Sequence, residues 1–168
     1  MTGMRLMVAV AITLVAQLAF VPRISIAGIT PDFVVLLVVL VALRAGPSGG
    51  AALGFLVGLL QGMLAPETLG LDALAKTLVG WAVGKLSSSL AIEGPAFYFG
   101  LVAMSVLAHD LVYLVGLTQL DVARFLGLFV THSIPAAVYT GLVSLLIGMI
   151  ARAVTGGVLN RTAEVRRG

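Results

Sequence analysis

The sequence predicts an all-α integral membrane protein, a compact bundle of about six short transmembrane helices. Three observations carry that expectation. Hydrophobic residues make up 60% of the 168, charged residues only 10%, and the mean hydropathy is +1.16, more apolar surface than a soluble chain of this size can hide. The apolar residues fall into successive runs separated by short breaks of Gly, Pro, Ser and charge. At about 20 residues per span the length admits six crossings and no sizeable soluble domain, so residues 1–168 read as one transmembrane domain.

Span 1 is expected over Leu6–Val21, after Arg5. No small-x-small cleavage site precedes Pro22-Arg23-Ile24, so the run reads as a retained span rather than a signal peptide. Span 2 opens at Pro31-Asp32, where Pro suits a first turn and Asp the positive end of the helix dipole. It covers Phe33–Leu43 and ends at Arg44; its 11 uncharged residues are fewer than a full crossing needs, so it crosses or is re-entrant. Ala45-Gly46-Pro47-Ser48-Gly49 is a turn. Span 3 is expected over Gly50–Leu64 and span 4 over Leu71–Leu86, with the Pro66 loop between them. Ser87–Ser89 and Glu93-Gly94-Pro95 mark the next break, span 5 covers Ala96–Leu117, and span 6 covers Phe125–Ala151. Residues 152–168 are a short basic tail holding Arg152, Arg161, Arg166 and Arg167.

The net charge is +3. Its basic residues stand singly between apolar runs, with no stripe and no interleaved aromatics, which argues against nucleic-acid binding and for a topological role. With six spans and the N-terminus inside, seven of the ten Lys and Arg lie inside, Arg23 and Arg124 outside, and Lys76 in the membrane. Both termini are then cytoplasmic, and Asp32, Glu67, Asp72 and Asp121 fall in outer loops. If span 2 fails to cross, the N-terminus lies outside with the same charge count. The chain has no cysteine, which excludes disulfides and thiol chemistry. No internal repeat is evident.

Gly50, Gly54, Gly58 and Gly62 recur every four residues and share one helix face. Gly80 and Gly84 repeat the spacing in span 4. Such faces let another backbone approach closely, either within this bundle or on a partner's helix. A second group is ionisable or polar: Lys76 in span 4 and His109-Asp110 in span 5 at similar depth, with Gln61 and His132 in the outer third of their spans. Buried charge in a membrane faces protein or water. The group reads as a hydrogen-bonded network with Lys76 paired to Asp110, as a snorkelling Lys76 beside a locally satisfied Asp110, or as a ligand or proton site. The sequence holds no HExxH, no GxSxG and no His/carboxylate cluster at metal spacing, so neither enzymatic chemistry nor a cofactor is expected.

One long stretch carries a family likeness. It runs from Pro31-Asp32-Phe33 through Ala42-Leu43-Arg44-Ala45-Gly46-Pro47, Gly50, Gly54-Phe55-Leu56 and Gly58-Leu59-Leu60, then Leu69-Gly70-Leu71, Ala73-Leu74-Ala75-Lys76-Thr77-Leu78-Val79-Gly80-Trp81 and Gly84. With His109-Asp110-Leu111-Val112-Tyr113, it resembles the bacterial rod shape-determining protein MreD family. Gln61 departs from that pattern, which often has an acid there. The resemblance implies a non-enzymatic inner-membrane subunit of the cell-elongation machinery. Its direct partner would be the bitopic protein MreC, and through it the glycosyltransferase RodA, the transpeptidase partner of RodA and the MreB filament. Asp32, Glu67 and Asp121 become outer-loop contacts for MreC. The same family is similar in span arrangement to substrate-binding subunits of energy-coupling-factor vitamin transporters, which supplies the alternative function. A third reading is a scaffold subunit of no assigned complex.

Overall fold

The computed structural model describes residues 3–19, 21–26, 28–63, 70–87, 94–119 and 121–165, those after 150 as backbone only. It is all-helical apart from one isolated bridge between Ile26 and Ile29. The helices are α1 (Gly3–Ala19), α2 (Phe33–Gly62), α3 (Leu71–Ser87), α4 (Pro95–Leu117), α5 (Val122–Leu128) and α6 (Ile134–Val165). A π-helical turn, Phe129–Ser133, joins α5 to α6 without a break. Pro135 explains the widening, because it has no N–H for the carbonyl four residues back.

Counted as continuous helices there are five among the described residues, not the six expected. Spans 2 and 3 run on as one helical element, since only Gly46 leaves helical geometry and no loop is inserted. The last helix also starts earlier and ends later than expected, and its backbone stays helical to Val165 through most of the basic tail. Three helices are long and apolar enough to cross a membrane, Phe33–Gly62, Pro95–Leu117 and Val122–Ile150, and Leu6–Ala19 is a shorter apolar helix.

The first of these is not straight. Gly46 has φ 72° and ψ −169°, a region that essentially only glycine occupies, and Pro47 then restarts the helix where a missing N–H costs nothing. The chain doubles back there. A Cβ built on Gly50 would lie 2.6 Å from the Ala42 Cβ, whereas eight residues along an unbroken helix span about 12 Å. The two limbs, 33–45 and 47–62, therefore pack side by side, with Val34, Val38 and Val41 against Leu53 and Val57.

The first limb is the axis of the bundle. Val34, Val35, Val38, Val39 and Ala42 are completely buried. They meet α3 through Val79 and Val83, α4 through Leu101, Val102 and Val106, α6 through Ala137, and α1 through Leu6, Ala9, Val10 and Leu14. Enclosure on all sides explains a run with no polar face and so few residues. Its start is inside protein, so its free N–H groups need partners. The Asp32 carboxylate accepts from the N–H of Val34 at 2.9 Å and of Val35 at 2.8 Å. Gln17 of α1 accepts from Phe33 N–H at 2.9 Å, and Thr140 of α6 accepts from Asp32 N–H at 3.0 Å.

The second limb lies against α3, backbone to backbone and antiparallel. Gly50 faces Gly80, Gly54 faces the Lys76 carbonyl, Gly58 faces Ala73 and the Asp72 carbonyl, and Gly84 faces Gly46 and Pro47. Each four-residue step up one helix matches a four-residue step down the other. Gly62 is also buried. A side chain has no room here: a Cβ on Gly58 would sit 2.6 Å from the Asp72 oxygen. Gly54→Leu and Gly58→Leu should each destabilise the protein by about 1–3 kcal/mol or more through overpacking. Thermal unfolding in mild detergent checks this, and wild-type stability of both variants would contradict the contact.

Candidate functional site

The polar residues inside the bundle gather where α3 meets α4. Asp72 lies in the first turn of α3, and Lys76 follows one turn later on the same face. The glycine contact holds this turn of α3 against α2, and the opposite flank carries both side chains towards α4. There the Lys76 ammonium donates to Asp72 Oδ1. His109 Nε2 approaches both, at 3.1 Å from Asp72 Oδ1 and 3.1 Å from Lys76 Nζ. On the far side of the ring, Nδ1 is 3.0 Å from Asp110 Oδ1. Tyr113, one turn on, stacks on the imidazole at a centroid distance of 5.9 Å.

Hydrogen-bond chemistry restricts the histidine. A carboxylate only accepts, so Nδ1 carries hydrogen and donates to Asp110. Nε2 then has two options: as a lone pair it accepts from Lys76, and as an N–H it donates to Asp72. The chain Asp110–His109–Asp72–Lys76 is thus continuous in either state. Three of its members are buried, Lys76 being 0% exposed, His109 5% and Asp72 8%. Two carboxylates face one ammonium and a histidine, and in hydrocarbon such groups persist only by satisfying one another.

This arrangement corrects the expected pairing. Lys76 bonds to Asp72, not to Asp110, and Asp110 joins only through His109. Asp72, expected in an outer loop, is a buried member of the network; the sequence signal was its four-residue spacing from Lys76. A neighbour one turn away on the same helix needs no further ordering to meet its partner, so it outcompetes an acid on another helix.

Two expected members stand apart. His132 is exposed on the π-helical turn, and the Gln61 carbonyl oxygen is buried with no hydrogen-bond partner among the described residues. Of the loop acids, Asp32 and Asp121 cap helices: Asp32 that of α2, and Asp121 that of α5 through Arg124 N–H at 3.1 Å. Glu67 lies outside the described residues.

The grooves between helices lie elsewhere. One of about 320 Å³ separates α1, α2 and α6 at Ile12, Ala16, Leu36, Leu40 and Ile147. Another of about 410 Å³ is lined by Ile26, Ile29, Pro135, Val138 and Tyr139. Both have apolar walls, and neither includes the network residues.

A buried ion pair that loses one member leaves an uncompensated charge. Lys76→Met alone should cost about 3–5 kcal/mol, and Lys76→Met with Asp72→Asn less than the sum of the two single changes. Double-mutant cycles in detergent measure both couplings. Stronger coupling of Lys76 to Asp110 than to Asp72 would contradict the observed geometry.

No curated protein and no solved structure matches the chain. A family model does: that of the rod shape-determining protein MreD matches residues 1–154 of the 168-residue chain. The match takes in all the helices that build the network and the glycine contact, and by it the chain belongs to the MreD family.

Proposed function

We propose that this chain is a non-enzymatic subunit of the cell-elongation complex in the bacterial inner membrane. It receives the transmembrane helix of MreC and orients the extracytoplasmic part of that partner. RodA, its transpeptidase partner and MreB are reached through the complex. The observation that carries this reading is the family match over residues 1–154, which makes the chain a rod-shape membrane protein. The internal chemistry agrees with it. Asp72, Lys76, His109 and Asp110 bond to one another rather than line a groove. Gly50, Gly54, Gly58, Gly80 and Gly84 are covered by the facing backbone of α2 or α3, so a partner's helix meets an outward apolar face. Among the described residues Asp121 is an exposed loop acid, and as a solvated charge it tunes orientation more than affinity.

In this reading the five helices make six passes, because α2 doubles back at Gly46, and both termini are cytoplasmic. The seven-to-two distribution of Lys and Arg supports a cytoplasmic C-terminus, and Arg5 just before the first span supports a cytoplasmic N-terminus. Single-cysteine labelling on the cysteine-free background tests it. A cysteine at Thr2 should stay unlabelled from outside intact spheroplasts, and labelling there would replace the topology with an odd number of passes.

The functional test is co-purification with MreC from the same organism in mild detergent, then replacement of the MreC transmembrane helix by an unrelated span. Association should be retained with the native helix and lost with the replacement. Survival of the complex after replacement would remove helix reception as the mechanism. Absence of MreC with a vitamin-like small molecule retained instead would favour a transporter subunit.

A further inference from the structure

The geometry points to Asp110 as an intramembrane docking point for a cationic side chain, Lys or Arg, carried at matching depth on a partner's transmembrane helix. The inference rests on the partner-helix reading above and assigns it a contact. Asp110 lies seven residues before the end of α4 at Leu117, about 10 Å along the helix at ~1.5 Å per residue. Hydrocarbon at that depth offers no donor.

Inside the protein its needs are only half met. Oδ1 accepts from His109, which is its one hydrogen-bond partner among the described residues. The Asp110 side chain is 17% exposed, against 11% for Asp72, 7% for His109 and 0% for Lys76. It is therefore the point where the network reaches the surface. Its position on the helix agrees. Phe99, eleven residues earlier and so on nearly the same side of α4, packs against Gly141 of α6. Asp110 thus lies on the flank turned towards the last helix, against whose π-helical turn α4 also packs. Ser133 on that turn is fully buried, and its hydroxyl makes no hydrogen bond among the described residues, to Asp110 or to any other group.

The surroundings suit a helix. The neighbouring surface of α4 and of the last helix is apolar and exposed at Leu111, Val115, Val130 and Ile134. A cavity of about 180 Å³ between α4 and α5 is lined by Val115, Thr118, Val122 and Phe125. Charge selects the occupant. The network holds two carboxylates against one ammonium and balances only when the imidazole is protonated as well, and Asp110, bonded to that imidazole alone, keeps a carboxylate oxygen without a donor among the described residues. A cation on the incoming helix completes it, and a purely apolar helix does not.

The test uses the full-length protein in phosphocholine nanodiscs and two synthetic polyleucine transmembrane peptides. One carries a single Lys about 10 Å below the interface, the other Leu at that position. Energy transfer between labelled peptide and protein reads binding. The Lys peptide should bind about tenfold more tightly than its Leu counterpart, the factor that one intramembrane polar contact supplies. Asp110→Asn should abolish the difference and Asp110→Glu should keep it. Equal binding of the two peptides to the wild-type protein overturns the proposal whatever the variants do. So does an advantage that survives in Asp110→Asn, which would mean that another acid or the lipid headgroups attract the Lys. Failure of wild-type MreC to co-purify counts against the partner reading instead, and the peptide comparison is independent of it.

Discussion

The contact on which the rest of the molecule depends is the one between the second limb of α2 and α3. A membrane gives apolar helices no reason to leave lipid for one another, so association must come from close packing and polar contacts. Here glycine removes every side chain between two backbones, and Gly54 receives the carbonyl of Lys76 itself. That places the first turns of α3 to within the tolerance of van der Waals contact. The side chains of Asp72 and Lys76 leave the same turns on the other flank. Their meeting with His109 is therefore set by a contact in which no side chain takes part.

A second constraint comes from the first limb. It is the most enclosed segment, yet its N-terminal N–H groups open inside the bundle. Asp32, Gln17 and Thr140 come from three separate parts of the chain to satisfy that one end. The cap therefore ties α1 and α6 to the axis, where the apolar contacts of α1 are few and its outer face, at Met4, Met7 and Val15, is bare. Apolar packing alone leaves helices in lipid free to slide, whereas a hydrogen-bonded helix end fixes their height.

Much of this was legible in the sequence, because apolar runs, glycine spacing and turn residues act locally. The limits of α3 and α4 fall within a residue of the expected ones, since Gly70 and Gly94-Pro95 punctuate the chain whatever packs around it. The four-residue glycine spacing marked a close backbone contact but not its recipient, because i and i+4 register says nothing about which helix faces it. The helix count missed for a related reason: a turn made by a single glycine leaves no loop to read. The polar pairing differs because a neighbour one turn away on the same helix outcompetes an acid at similar depth on another span. His132 shows the other limit: its exposure on the π-helical turn beside Pro135 cannot be seen in an apolar periodicity.

These features commit most of the interior of the bundle. The glycines of the contact between α2 and α3 face glycine and backbone, the valines of the first limb are enclosed on every side, and Lys76 and Asp72 answer each other. What remains for recognition is the outer surface, and most of it is as apolar as the lipid around it. Such a surface can hold a helix but cannot choose its height or its neighbour, because sliding by a turn replaces one aliphatic contact with another. A polar group at a fixed depth removes that freedom, since a mismatch of one turn leaves it without a partner in hydrocarbon. Asp110 is where the internal network meets that surface, so whatever sets the height of a partner's helix on this face of α4 acts on the same carboxylate that holds His109.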